Sequence, residues 1–474
     1  MTARRSHPAV TLAVLSTAGL AYAVLSSAVV PALPTIQHNL NASETGVTWL
    51  LTGYLLSASV GTAILGRLGD MHGKERVLLY TLVILAGGTL LAAVSHSLGV
   101  LIVARVIQGV GGGIFPLSFG IIRDEFPPER VPGSIGLMSA ILGIGAGFGI
   151  VVGAVIVEDL TWQWLFWLTL IVIAVATFCT WRFIPESPVR VPGRLNWPAA
   201  ILMSVGISTV LIAISYTTTW GWGSPKTVGL LAAGLLVCCG WVAVEVRSRT
   251  PLIDMGMMRI RSVWTTNLTA FLLGAGLYSS FVVFPQLAQL PKSTGFGYGA
   301  SVVLSGVYLL PSTIGMVVIG SAAGPISRRF GSKRAVVAGS AISALAFALL
   351  AVQHAHPYDM LLSAALMGIG VGLAFAALGN LIVQAVRPEQ TGAAAGMNTV
   401  MRTIGGAIGG QLAATLIAAH LAASELPAVT GFTDTFVMAS CFLVVCTLAA
   451  LLVPGRRTAS VAPDLEPALN LADN

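Results

Sequence analysis

Charge is what this chain has least of. Of its 474 residues, 9% are charged and 55% are hydrophobic, against about 25% charged in an average soluble domain. That excludes the roughly three soluble domains that length alone would suggest. Cysteine is also scarce. The five (Cys179, Cys238, Cys239, Cys441 and Cys446) all fall in apolar runs without metal or disulfide spacing, so they read as small packing residues. There is no Gly-x4-Gly-Lys-Ser/Thr sequence, which removes ATP as a direct energy source. The seven histidines show no i, i+4 pairing, and no nucleophile–base set lies in the apolar runs. Nothing therefore points to a membrane-integral enzyme, a resident metal or a cofactor.

What the chain does have is apolar runs of about 20 residues, the span of a bilayer core. Fourteen are read, over 9–33, 46–66, 76–95, 99–122, 133–157, 162–184, 197–217, 226–246, 262–288, 299–321, 335–353, 360–386, 392–420 and 433–453. The first is too long, and too far from any small-residue cleavage site, to be a removable signal peptide, and reads as a spanning helix. The polar tail over 456–474 is expected to be disordered. With an even number of spans both termini share one side. All but four of the 25 lysines and arginines fall on it: Lys226 and Lys292 lie opposite, and Arg105 and Arg402 lie inside runs. Positive charge marks the cytoplasmic face, so both termini are placed there. The net charge of +7 then belongs to loops at anionic headgroups, with no sign of a nucleic-acid surface.

One pattern occurs twice. Gly66-Arg-Leu-Gly-Asp-Met-His-Gly73-Lys-Glu-Arg76 is echoed by Gly324-Pro-Ile-Ser-Arg-Arg-Phe-Gly331-Ser-Lys-Arg334, each a short basic turn between apolar runs. Gly136, Gly145 and Gly149 are likewise echoed by Gly396, Gly405 and Gly409. Repeated turns and repeated glycine-packed helices imply two related halves, with a binding site where they meet. In the first turn Gly66 lets two helices approach and Gly73 permits a tight reversal. Asp70 lies among Arg67, Lys74 and Arg76, a setting for a charge-assisted clamp that holds in one arrangement and releases in another. In the second turn Arg328 stands where the first has Asp70, followed by Arg329, which leaves that copy's clamp partner open.

Inside the runs, Arg105 and Gln108 share one helical face. A buried arginine costs about 2.5–3.5 kcal/mol on insertion scales. It either faces a cavity or is bonded to carbonyls of the first or a neighbouring helix. Arg402 sits closer to what could be a helix end. Gly136, Gly145, Gly149 and Gly153 form a packing face that lets another helix come close.

These features carry a resemblance. The two turns are similar to the signature loop of the major facilitator superfamily, and Arg105-Val-Ile-Gln108-Gly109 to its Arg-x-x-Gln-Gly pattern. The glycine spacing of the fifth run resembles the antiporter motif of drug-exporting members, with Ile150 and Ala154 where that motif has a proline and a further glycine. With Phe126-Pro-Pro-Glu-Arg130, Trp162-Gln-Trp-Leu-Phe-Trp167, Pro251-Leu-Ile-Asp-Met255 and fourteen runs, the chain resembles the 14-helix drug:proton antiporter branch over nearly its whole length. The resemblance implies an all-α integral membrane protein with the major facilitator fold. Two six-helix bundles would occupy 1–190 and 256–455, with two inserted helices and a linker over 191–255. It implies a monomeric, proton-coupled multidrug or antibiotic exporter of the cell membrane, working by alternating access on small amphipathic compounds.

One departure bears on coupling. That branch has an aspartate in its first helix, and Leu25-Ser-Ser-Ala-Val-Val-Pro-Ala-Leu-Pro34 has none. None of the 18 acids lies at the centre of a run, while proton coupling needs a titratable group in the pathway. A metabolite facilitator or importer therefore stays open as the alternative, as does a non-transporting receptor. Candidate lining residues are Ser26, Ser27, Tyr54, Arg105, Gln108, Asn267, Tyr278, Phe281, Gln286, Tyr308, Asn380, Asn398 and Arg402. Aromatics, amides and arginine without a central carboxylate favour neutral or anionic compounds over cations.

Overall fold

The computed structural model describes residues 7–186, 195–248, 250–420 and 426–454; the tail over 456–474 lies outside them. Among the described residues, 14 helices are long and apolar enough to cross a membrane. In a bilayer the backbone must satisfy its own hydrogen bonds, which is why such apolar runs become helices. They are α1 (Pro8–Ala28), α2 (Glu44–His72), α3 (Lys74–Ala93), α4 (Leu98–Glu125), α5 (Val131–Asp159), α6 (Trp164–Phe183) and α7 (Trp197–Ser215). There follow α8 (Pro225–Arg247), α9 (Arg261–Gln289), α10 (Val302–Val307 continued by Leu310–Phe330), α11 (Ser332–Val352), α12 (Pro357–Ala385), α13 (Thr391–Ala419) and α14 (Val429–Leu452). Local signals set the starts. Ser43, Ser97, Asn196, Ser224 and Ser301 each accept a first-turn N–H of α2, α4, α7, α8 and α10, the usual role of a capping oxygen.

Two boundaries differ from the apolar runs. The first run was expected to be helical to residue 33, but α1 stops at Ala28 and a short helix, Leu33–Asn39, follows. Pro31 cannot donate to a continuing ladder, and Pro34 sits in the first turn of the new helix, where proline is tolerated. The tenth run breaks after Val307 and restarts at Leu310, with Pro311 in the new first turn.

The two halves are built alike. In the first, the glycine face of α5 lies on α1: a Cβ at Gly149 would stand 2.7 Å from Val24 O. In the second, a Cβ at Gly405 or Gly409 on α13 would overlap the Phe271 and Ala275 carbonyls of α9. A serine of the first helix bonds a glycine carbonyl in each pair, one turn apart in the repeat. Ser27 Oγ donates to Gly145 O (3.2 Å) and Ser279 Oγ to Gly409 O (3.0 Å). Between the halves, α2 packs on α13, and α5 on α10 and α12. The inserted α7 and α8 pair with each other, and α7 also lies against α2 and α13.

Candidate functional site

At the centre of the first half, Arg105 is completely buried. Its Nε donates to Leu50 O (3.1 Å), and its Nη1 to Leu25 O (3.3 Å) and Gln108 Oε1 (2.9 Å). Gln108 Nε2 in turn donates to Gly88 O and Thr89 Oγ1 of α3. Leu25 is among the last four residues of α1, whose carbonyls have no following helical N–H to accept from. Of the two situations open to Arg105, the structure places it on neighbouring carbonyls, tying α1, α2 and α4 together. The guanidinium lies 4.1 Å from the centre of the Tyr54 ring, and Tyr54 stacks on Tyr22 at 5.7 Å. The Ser26 and Tyr22 hydroxyls adjoin the Tyr54 phenol.

Across the gap, Arg402 is the twelfth of the 29 residues of α13, well inside the helix and away from either end. Its guanidinium stands 4.8 Å from the Phe375 ring of α12. The phenols of Tyr278 on α9 and Tyr22 on α1 are within electrostatic range of it. Tyr278, half-buried, packs edge-on to Phe281 at 5.6 Å. The structure thus gathers Ser26, Tyr54, Tyr278, Phe281 and Arg402 around the meeting of the halves, and adds Tyr22 and Phe375.

Other candidates lie elsewhere. Asn398 Nδ2 donates to Asn267 Oδ1 (3.0 Å), a closed pair between α13 and α9. Asn380 Nδ2 donates to Pro132 O (3.0 Å) at the basic face. Ser27 is taken by Gly145, Tyr308 packs on Tyr298, and Gln286 is exposed near the far end of α9. Gly145, Gly149 and Gly153 are the packing face described above, and Gly136 is buried on the same helix.

At the basic face the halves are sealed. Asp70, 1% exposed, accepts from Ala393 N (3.3 Å) at the start of α13, where a helix N-terminus favours a carboxylate. A Cβ at Gly66 would overlap Gly392 O, so the two backbones meet because neither residue has a side chain. Lys74, also buried, lies 3.7 Å from Asp70 and 2.7 Å from Asp124. Arg123 donates to Thr391 Oγ1 (2.7 Å) and Val386 O (2.9 Å). Gly73 has φ +103° and Gly331 φ +82°, so both repeats make the left-handed reversal that suits glycine.

Two gating candidates are corrected. Arg76 is outside the Asp70 cluster and pairs with Glu186 at 2.7 Å on the exposed surface. Among the described residues Arg329 pairs with no carboxylate; it lies over Phe330 and, with Lys333 and Arg334, lines a cavity of about 600 Å³. Gly324 and Arg328 have surroundings outside the described residues. Sequence reasoning missed Arg123, Asp124 and Ala393, and also Tyr22. The first two could have been flagged as charges spent at the end of an otherwise apolar helix. Tyr22 could have been flagged as a phenol needing a partner inside a membrane run; Ala393 carries no signal, since its backbone is what binds.

Among the described residues, every hydrogen bond found between the first half and the second lies at this basic face. Every described acid in a spanning helix lies within two turns of an end. The arrangement is a centre lined by phenols, phenylalanines and one guanidinium, closed on one side by a seam of charge-assisted contacts.

Comparison with known proteins agrees with this architecture. The family model described as Major Facilitator Superfamily matches residues 15–410 and 268–470. Among curated relatives, "Multidrug resistance protein 3" of Bacillus subtilis (strain 168) is 29% identical over 360 residues, covering 75% of this chain and 69% of that one. "Tetracenomycin C resistance and export protein" of Streptomyces glaucescens is 29% identical over 402 residues, 83% and 73% of the two chains. "Cephamycin export protein CmcT" of Amycolatopsis lactamdurans is 27% identical over 463 residues, 96% and 94% of the two. Among solved structures, the human organic anion transporter MFSD10 (TETRAN) superposes with a TM-score of 0.67 at 16% identity. It covers 94% of this chain and 99% of its own, a likeness of fold.

Proposed function

Because the chain belongs to the Major Facilitator Superfamily, we propose that it exports small amphipathic compounds, drugs or secondary metabolites, by alternating access of the centre between Tyr22 and Arg402. One observation carries the reading. The inter-half hydrogen bonds among the described residues gather at the basic face, while α1 and α9, which flank the centre, have no extensive packing against each other. A seam fastened by polar contacts at one end alone is what a rocking carrier needs on each side in turn. The export names of the relatives support the substrate class and direction. One chain supplies both bundles and the centre between them, which supports a monomer, and the basic residues gathered at one face support a cell-membrane orientation with both termini cytoplasmic.

Protons are the counter-ion this reading carries over from the resemblance. The second reading, a facilitator without proton antiport, is favoured by the position of the described acids, all near helix ends. Proteoliposomes holding the purified chain separate the two. We expect a fluorescent amphipathic dye to accumulate several-fold above equilibrium when a pH gradient is imposed across the membrane. Equilibration without accumulation would replace antiport by facilitation. No protein-dependent movement of any dye, drug or metabolite tested would overturn transport.

A further inference from the structure

Arg402 is 9% exposed, at the middle of α13, and among the described residues its guanidinium has no hydrogen bond and no ion pair. Its contacts are the face of Phe375 at 4.8 Å and the neighbouring phenols of Tyr278 and Tyr22. Its stem lies over the bare backbone of Gly274, with Cγ 3.1 Å from where a Cβ there would stand. Arg105, equally deep, spends its Nε and Nη1 donors on two carbonyls and an amide. The contrast matters because a buried guanidinium has five N–H donors and no way to lose its charge. Leaving such a cation without an acceptor in low dielectric is the costly arrangement. An aromatic face returns only part of that cost. Among the described residues no acid shares the depth of Arg402: the titratable groups facing it from α1 and α9 are phenols, and α12 offers a phenyl ring.

The surroundings are aromatic. Tyr278 lies on the glycine face of α13, its Cδ2 2.7 Å from where a Cβ of Gly406 would stand, one turn along from Arg402. Phe281 meets Tyr278 edge-on. From the other half Tyr22 comes within electrostatic range of Arg402 and Tyr278, with Tyr54 stacked on it. A planar cation therefore sits among aromatic rings where the two halves meet.

We propose that Arg402 is the docking point for the transported compound's acidic group, so that the natural substrate is an amphipathic organic anion. Its carboxylate is held by the guanidinium fork and its apolar body lies against Phe375, Tyr278 and Phe281. The inference rests on the reading of this centre as the transport cavity, and names the substrate class for it. It also accounts for the absent acid in the first helix. A carrier of cations needs a buried carboxylate to offset its cargo, whereas a carrier of anions needs a buried cation. Loading neutralises Arg402, so the filled centre carries less uncompensated charge while the bundles move.

The test uses purified full-length protein in detergent and matched acid–amide pairs: 2-naphthoate with 2-naphthamide, indole-3-acetate with indole-3-acetamide, and dansylglycine with its amide. Binding is read by thermal stabilisation and tryptophan fluorescence. We expect at least one acid to bind about tenfold more tightly than its amide, the scale of a charge-assisted bidentate contact. Arg402→Gln should erase that preference. Arg402→Lys, which keeps the charge but not the fork, should retain part of it and serves where the glutamine variant does not fold. The proposal is overturned if acid and amide bind alike, if the preference survives Arg402→Gln, or if no acid binds. It is also overturned if chloride or phosphate competes as well as the acids do, because the site would then read charge alone. Proteoliposomes loaded with the same pairs keep the two readings apart. Movement of the amides without any preference for acids would remove the anion assignment and leave transport standing. Movement of no compound would remove transport itself.

Discussion

A guanidinium buried in a membrane helix is costly without acceptors for its N–H groups, and Arg105 finds three for its Nε and Nη1, on α1, on α2 and on its own helix. Each charge-assisted hydrogen bond is worth roughly 1.5–3 kcal/mol, so the side chain acts first as a joint between helices. We expect Arg105→Ala to lower the thermal midpoint in detergent by a few degrees, on the order of 2–5 °C, with loss of transport following from the loosened joint. Arg105→Lys should fall between, since one ammonium replaces a fork aimed at separate carbonyls. Scanning fluorimetry checks this. Unchanged midpoints with abolished transport would return Arg105 to the substrate path. Both arginines were legible in the sequence as buried cations, but which of them was occupied was not. That depends on where α1 ends, because Leu25 O is open to Arg105 only when the helix stops at Ala28. The apolar run continues past that point through Val29 and Val30, and only Pro31 and Pro34 hint at the break.

At the scale of helices, the repeated turn was readable because glycine and charge stand out in an apolar chain. Its partner was not. The N–H that Asp70 binds belongs to Ala393, a residue without side-chain chemistry on the far half, and no local pattern announces such a contact. Arg76 was misplaced for a related reason: it is close to Asp70 in sequence, but the reversal at Gly73 turns it outward to Glu186. Two elements converge on the start of α13. Asp70 reaches it from α2, and Gln390, just before its first turn, donates to Asp254 Oδ2 at 2.9 Å in the linker after α8. That linker is itself held by Glu245, which accepts from Leu252 N and Ile253 N. The inserted helices are thus fastened to the same seam as Asp70. Asp70→Asn keeps the shape and gives up the charge, exchanging a charge-assisted hydrogen bond for a neutral one at a cost of about 1 kcal/mol. The ratio of sealed to open states should fall by roughly fivefold. Spin labels at the exposed positions Glu129 and Arg387, one on each half, would report it. We expect a longer-distance population to grow in Asp70→Asn, with normal expression and slower transport. Identical distance distributions and wild-type rates would reduce this copy of the turn to a tight reversal.

For the whole molecule, the number of spans and their pairing into halves were legible because membrane insertion is governed by composition over long windows, which a single sequence contains. The seal at the basic face was not, because it arises from contacts between residues hundreds of positions apart. Orientation joins the two scales. The helix ends that carry Arg67, Lys74 and Arg123 lie at the sealed face, and positive charge is retained on the cytoplasmic side. On the proposed orientation the sealed face is the inner one, and export requires the centre to open outward to release its cargo. In a cysteine-free background, a single cysteine replacing Lys292, beyond the far end of α9, should react with a membrane-impermeant maleimide in intact cells. One replacing Glu129, in the turn before α5, should react only after the cells are opened. The reverse pattern would place the basic turns outside against their expected retention. The Asp70 seam would then be an outer gate, and the same rocking motion would have to be read as uptake.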